Sequence, residues 1–505
     1  MNSKPALDAT AAKAGSRSDL AWWQPVLFGA LAGGLGWGIR GQYGHETGAM
    51  IAGSLVALVL ALLFCRDAPS LPVARAVAWA TVAIGFGGSM TYGQTVGLTH
   101  DPALVGHWDA LWWGLLGLAL KGGLWIGFAG AFLGMGLGGV RYRAGELLVL
   151  MLALLALFFL GCRWLNQPFD PAHRILPQIY FSADWRWLPE AALKPRPEVW
   201  GGMLAALIGV VAYAGGYRRD RLALNLALWA VLGGAIGFPL GQTLQAFHAW
   251  NLDLFQSGTL ARIDSCLNWW NFMETTFGAV MGGTLGWGLW LNRHRLAVAQ
   301  NTAPVTLAAP LEWALAVVYV GLLVGSEFVE LPALSVFADV GLLAGLIPVV
   351  AIAGGRWWPY LLTLPITLLP IAGKTVRQLV YEEKAIGFAA GWVVYAIVPV
   401  AVAVVLAVVL ARRANSGESA RRFTRSSLLL ATWLYFALNF GFFRYPWPWA
   451  TWTRRTPNAI VFTVCALGLS WAAWKFGRAG ARRAAGASGS LSGVGESPAT
   501  APATS

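Results

Sequence analysis

The chain has 505 residues, of which 57% are hydrophobic and 12% charged, and its formal net charge is +13. Soluble domains carry about 25% charge, so a water-soluble fold is excluded; an outer-membrane barrel is excluded too, because barrels alternate apolar and polar positions whereas 147–160 and 393–410 are apolar on every side. The positive excess sits at the ends of apolar runs, which points to anionic lipid headgroups as partners and not to nucleic acid.

Residues 1–21 form a polar segment. The apolar stretch that follows leads into Gly36-Trp37-Gly38-Ile39-Arg40 with no small-residue cleavage site, so it reads as a retained helix and not as a signal peptide. Apolar runs then recur over 22–40, 47–65, 73–96, 110–139, 145–163, 199–217, 222–246, 268–291, 310–328, 333–354, 357–373, 386–411, 426–443 and 457–476. The sequence thus predicts an all-α polytopic integral membrane protein of about fourteen transmembrane helices. The run around Lys121 is long enough to be tilted or broken, which moves the count by one or two.

Composition divides the chain further. Of the 61 glycines, about 43 precede residue 301, in steps such as Gly29/Gly33, Gly123/Gly127, Gly130/Gly134, Gly233/Gly237 and Gly278/Gly282 that let helix backbones approach closely. This predicts a Gly-rich bundle over 22–295 with about eight helices and a linker at 296–309. A second bundle of about six helices, rich in Val, Leu and Ala, is expected over 310–476. The Ala, Gly, Ser, Thr and Pro of 477–505 predict a disordered tail. With the N-terminus inside, about 22 basic residues fall on the inner side and about 13 on the outer, so both termini are expected in the cytoplasm of a bacterial-type inner membrane.

A direct internal repeat runs through the Gly-rich half. Gly85-Phe86, Gly93-Gln94-Thr95, His100 and Trp112-Trp113 recur in order as Gly237-Phe238, Gly241-Gln242-Thr243, His248 and Trp269-Trp270. A related version, Gly36-Trp37, Gly41-Gln42 and His45-Glu46, opens the chain. After each tryptophan pair comes a Gly-rich span with one ionisable residue, Lys121 or Glu274.

An intramembrane charge costs at least about 2.5–3.5 kcal/mol, so it faces a partner or a wet cavity. Lys121 lies about 18 Å and Glu274 about 9 Å down their helices at 1.5 Å per residue. Three readings stand: an ion pair between the two that locks the repeats together, a solute or proton site, or a lysine that snorkels alone. Asn268, Asn271 and Glu274 share a helix face, as do Gln242, Gln245 and His248; such stripes suit either a polar solute or hydrogen bonds between helices. Arg40 beside Gln42 is a candidate for holding an anionic group. The candidate solute site therefore comprises Arg40, Gln42, Gln94, Lys121, Gln242, Gln245, Asn271 and Glu274.

Between Arg295 and Arg356 the only charges are Glu312, Glu327, Glu330 and Asp339. An acidic stretch without local cations makes Glu327, Glu330 and Asp339 candidates for proton or cation coupling. His45, His100, Asp101, His107, Asp109 and His248 fall near outer helix ends and suit acid–base work. Their spacing matches no metal motif such as His-Glu-x-x-His, so neither metal nor cofactor is expected. The tryptophans, among them Trp22, Trp23, Trp112, Trp113, Trp269, Trp270, Trp357 and Trp358, read as interfacial anchors. No P-loop occurs. The expected function is a permease for a small polar or anionic solute. The alternatives are a transferase acting on a lipid-linked substrate at the outer face, with the 164–198 loop as a cover, and a non-catalytic assembly or sensory component.

Overall fold

The computed structural model describes residues 20–41, 43, 46–190, 192–298, 304–443 and 452–478. Gln42 and His45 lie outside them, as does the predicted tail from residue 479. Among the described residues the regular structure is helical, with no strand, and the protein is a multi-pass membrane protein.

The first half comprises α1 (Trp23–Arg40), α2 (Glu46–Phe64), α3 (Ser70–Phe86), α4 (Gly93–His100), α5 (Trp108–Leu137), α6 (Ala144–Leu165), α7 (Trp200–Val211), α8 (Arg221–Trp250), α9 (Gly258–Cys266) and α10 (Trp269–Leu291). The starts of α8 and α10 are capped by side chains. Asp220 accepts from the Ala223 N–H at 3.0 Å and Asn268 from the Asn271 N–H at 3.0 Å. Among the described residues nine helices are long and apolar enough to cross a bilayer, or ten if one bent pair counts as a span. The expected fourteen is therefore not met by apolar length alone. The shortfall includes α1, α2 and α10, which are helical where expected but are diluted by glycine and polar residues or, for α2, apolar over a shorter stretch. Much of their surface is buried against other helices, and such positions need not match lipid.

Three hairpins, α1/α2, α3/α5 and α8/α10, close into a ring in which α2 packs on α3, α5 on α8 and α10 back on α1. Glycine makes the tightest crossings possible. A Cβ on Gly33 would collide with the Gly278 carbonyl and one on Gly278 with that of Gly33; Gly122 and Gly234 stand in the same relation between α5 and α8. Inside the ring, Trp37 meets Trp125 at 5.1 Å and Phe277 at 4.4 Å, and Phe238 stacks on Phe277 at 4.7 Å. The three Gly-Gln segments differ locally: 41–42 follows α1, Gly93-Gln94 opens α4 after a break in the chain's helix, and Gly241-Gln242 lies within the continuous α8.

The second half comprises α11 (Ala309–Phe328), α12 (Pro332–Asp339), α13 (Gly341–Ala344), α14 (Leu346–Gly354), α15 (Trp358–Leu361), α16 (Thr367–Val376), α17 (Phe388–Trp392), α18 (Val398–Ala414), α19 (Ala420–Phe443) and α20 (Thr456–Gly477). Its α16, α19 and α20 enclose α2, so the two halves share a core. Unlike the ring, this half is repeatedly interrupted. The chain bends by 91° between α12 and α13–α14, and π-helical turns interrupt it at Leu362–Ile366, Arg377–Glu382 and Val393–Ile397. Trp358, expected at the lipid interface, is instead fully buried, its indole N–H donating to the Glu312 carbonyl at 2.9 Å. All four cysteines are free.

Candidate functional site

At the C-terminal end of α1, Arg40 is 2% exposed and its guanidinium is boxed by three rings, with centroids at 5.4 Å for Trp37, 5.2 Å for Tyr92 and 5.0 Å for Trp125. Its Nη1 donates to the Tyr92 hydroxyl at 2.6 Å and lies 3.4 Å from Glu274 Oε1; the Tyr92 hydroxyl donates to that same oxygen at 3.3 Å. Gly41 is required here, because a Cβ would overlap the Glu274 carboxylate. One turn away, Asn271 donates to the Gly38 carbonyl at 2.7 Å and accepts from Asn458 of α20. Arg40, Asn271 and Glu274 are thus brought together, and Tyr92 joins them without having been expected.

Lys121 is elsewhere. The expected Lys121–Glu274 pair does not form: Lys121 Nζ lies 2.6 Å from Glu198 Oε1, and it also donates to the Thr91 carbonyl and to Thr95 Oγ1, both at 2.7 Å. Glu198 in turn accepts from Ser182 Oγ at 2.8 Å and from the Phe181 N–H at 2.9 Å. The offset in depth between Lys121 and Glu274 is resolved by different partners, because the 166–199 loop folds inward to deliver Glu198. Gln94 holds the same loop: its amide donates to the Lys194 carbonyl at 2.9 Å and accepts from the Arg196 N–H at 3.1 Å. Burial together with the nearby Glu198 raises the Tyr180 phenol above its usual range in this loop, and its hydroxyl donates to the Arg196 carbonyl at 2.9 Å. Lys121 and Gln94 therefore act as loop anchors.

A polar cavity of about 280 Å³ opens at the end of the ring where α4 and α8 finish and α10 begins, lined chiefly by His100, Gln245, His248, Asn268, Trp269 and Arg454. The His100 ring stands 6.5 Å from Trp270, which is 6.2 Å from Tyr92, so Trp270 lies between this cavity and the Arg40 centre. Gln242, fully buried, donates to Thr99 Oγ1 at 2.7 Å. The other outer candidates are not part of this lining. Asp101 turns back against Gly97, and its partial burial raises its carboxyl, opposed by attraction to His100. His107 packs on Trp187 at 5.9 Å, and Asp109 is exposed in the first turn of α5.

A second cavity, of about 180 Å³, lies where the ring's Tyr43 meets the second half, and its lining includes Glu327, Phe337, Pro370, Gly373 and Lys374. The expected absence of local cations does not hold. Arg377 Nη1 lies 2.9 Å from Glu327 Oε1, and Lys374 lines the same space; α16 brings Lys374, and the π-helical turn that follows it brings Arg377, back to α11 from a stretch remote in sequence. Glu330 and Asp339 are exposed and line neither cavity. Glu312 has a structural task, its Oε2 accepting from the N–H groups of Arg356 at 2.9 Å and Trp357 at 2.8 Å at the start of α15.

Among the described residues no group of three or more His, Cys, Asp or Glu is placed to hold a metal ion. No family model matches the chain, and no curated protein or solved structure is similar to it. Sequence reasoning missed Tyr92, Glu198, Arg377 and Arg454. Of these only Glu198 carried a signal, as an acid in a loop already expected to act as a cover.

Proposed function

We propose that the chain is an inner-membrane permease for a small polar or anionic solute, with both termini in the cytoplasm and a path along the boundary between the ring and the second half. One observation carries this reading: the interrupted helices α12–α14 and α15–α16 meet the glycine-locked ring around the cavity that holds Tyr43, Glu327 and Lys374. Discontinuous helices at a midplane site are the recurring architecture of secondary transporters, and π-helical turns mark functional positions. The ring is the static partner, because its seams leave no room to slide. The second half is the moving one. Glu327 is the coupling residue, exchanging Arg377 for a proton or cation.

The same reading places all six ring helices in the membrane and takes the hairpins as copies of one unit. Their cyclic order supports this, since each first helix packs on its own partner and on the second helix of another hairpin. The orientation is supported by the basic turns, which share one end of the molecule: Arg218 Nη2 donates to the Arg141 carbonyl at 2.6 Å, and Arg421 pairs with Asp67. The transferase reading has less to stand on, because Asp101, His107 and Asp109 do not line the cavity with His100 and His248.

The test is reconstitution of the purified protein into proteoliposomes. Sugars, amino acids and small anions are screened first for thermal stabilisation, and labelled hits are then tested for uptake. The expected result is saturable uptake that Glu327→Gln abolishes. Uptake insensitive to Glu327→Gln, or stabilising solutes that never cross, would overturn the proposal.

A further inference from the structure

The polar cavity invites a separate assignment that does not rest on transport. We infer that His100, Gln245, His248, Asn268 and Arg454 form a binding site for a small oxyanion that also carries a hydroxyl group, such as hydrogen phosphate or a hydroxycarboxylate. The cavity lies at the ends of α4 and α8, the start of α10 and the segment before α20, so four separated stretches of chain build it. At about 280 Å³ it exceeds the roughly 30 Å³ that one water occupies in the liquid several times over.

The lining contains no carboxylate. Arg454 is exposed, and no carboxylate lies within 4.0 Å of it among the described residues, so its guanidinium fork is available. Asn268 spends its carbonyl oxygen on the Asn271 N–H, which leaves the amide N–H groups as donors. Each imidazole has one nitrogen close to a fixed oxygen. His100 Nδ1 lies 2.9 Å from the Val96 carbonyl, which only accepts, so Nδ1 carries the hydrogen and Nε2 is left over. His248 lies flat on Trp269, at 4.5 Å and 16°, with Nε2 2.8 Å from Asp264 Oδ1 although off hydrogen-bond geometry, and its Nδ1 is left over. Neither neighbouring carboxylate is in the lining: Asp101 lies beside His100, and Asp264 lies beside His248. Asp264 also accepts the Trp269 indole N–H at 2.8 Å.

Gln245 decides the class of ligand. Only 7% exposed, it lines the cavity, and its Oε1 has no hydrogen-bond partner. A buried acceptor left without a donor is costly. A ligand that offers one O–H to this acceptor and an anionic oxygen to Arg454 and Asn268 satisfies both kinds of group at once. Hydrogen phosphate does so, and so does a hydroxycarboxylate. A bare cation could use the Gln245 acceptor, but it would stand beside the Arg454 guanidinium with no carboxylate in the lining to balance it.

The experiment is isothermal titration of the full chain in detergent with inorganic phosphate and, separately, with lactate. Binding of either probe is expected, weakened at least tenfold by Arg454→Gln and by Gln245→Leu and partly retained by Arg454→Lys. Arg454 is exposed, so its variants test the site without testing the fold. Repeating the titration in nanodiscs assigns the source of the anion. Phosphate affinity unchanged by phosphatidylglycerol means a free solute, and affinity lost to it means a lipid headgroup on the same groups. Absence of binding by both probes, or full affinity in Arg454→Gln, overturns the inference. Failure of uptake in proteoliposomes would leave this equilibrium measurement untouched, so the two proposals fail separately.

Discussion

The ring holds two buried ion pairs, and they are built differently. Lys121 and Glu198 are saturated: the ammonium has three acceptors within 2.7 Å, and the carboxylate takes two more donors from the loop it belongs to. Arg40 and Glu274 stand 3.4 Å apart, beyond the roughly 2.7–2.9 Å of a charge-assisted hydrogen bond, and they share a tyrosine hydroxyl inside a box of aromatic rings. A saturated pair can only be broken, so the first works as a latch on the 166–199 loop. A stretched pair can exchange partners at lower cost, and it is this one that lies one tryptophan below the polar cavity.

The largest expected effect tests the pairing itself. Lys121→Met leaves the Glu198 carboxylate buried without its cation, and breaking one side of a buried pair costs about 3–5 kcal/mol. Detergent-purified Lys121→Met should therefore show a steep loss of melting temperature and of yield. Adding Glu198→Gln should recover a large part of it, whereas adding Glu274→Gln should only add a second loss. A cycle in which Glu274→Gln is the rescuing partner would refute the geometry and restore the pair expected from sequence.

That expectation shows what was legible. The helical class, the glycine seams and the special status of Arg40, Gln242, Gln245 and Glu274 follow from composition and spacing, because close backbone approach and an intramembrane charge both leave marks in sequence. Gly33 against Gly278 is the clearest instance. Pairing was not legible. A loop that folds inward places Glu198 beside Lys121 across 77 residues, and no local periodicity encodes such a return. The same holds for Arg377 beside Glu327, 50 residues on, which turned an apparently cation-free acidic stretch into a paired site. Fourteen spans are not met by apolar length for another reason: hydropathy measures likeness to lipid, and α1, α2 and α10, helical where expected, face protein.

A middle-sized effect sharpens the contrast between the pairs. Glu274→Gln keeps a side-chain oxygen near Arg40 and Tyr92, and the guanidinium retains its aromatic box. The expected loss is about 1–3 kcal/mol, smaller than for Lys121→Met, and the variant should fold well enough to purify. Thermal denaturation of the two single variants side by side is the measurement. Equal losses would mean that Arg40 and Glu274 are as locked as the latch, and that Trp270 separates the cavity from a purely structural centre.

The smallest effect concerns a charge far from both pairs, at the start of α8. Asp220 caps α8 through the Ala223 N–H and accepts the Tyr142 hydroxyl at 3.0 Å, yet burial raises its carboxyl above the ordinary range despite those bonds. The sign follows from linkage: the fold holds the proton more tightly than the unfolded chain does, so the contribution is fully present below the ordinary aspartate pKa of about 3.9 and is lost as pH rises through the raised folded value. Asp220→Asn keeps the capping oxygen and removes the charge. Its melting temperature should lose the part of the pH dependence that lies just above the ordinary carboxylate range, and should equal or slightly exceed that of the parent at neutral pH. A neutral-pH loss as large as that of Lys121→Met would show that the Asp220 charge itself holds the turn before α8. Burial would then not be the dominant influence there, and that end of the ring would carry a third charge centre of the latch type.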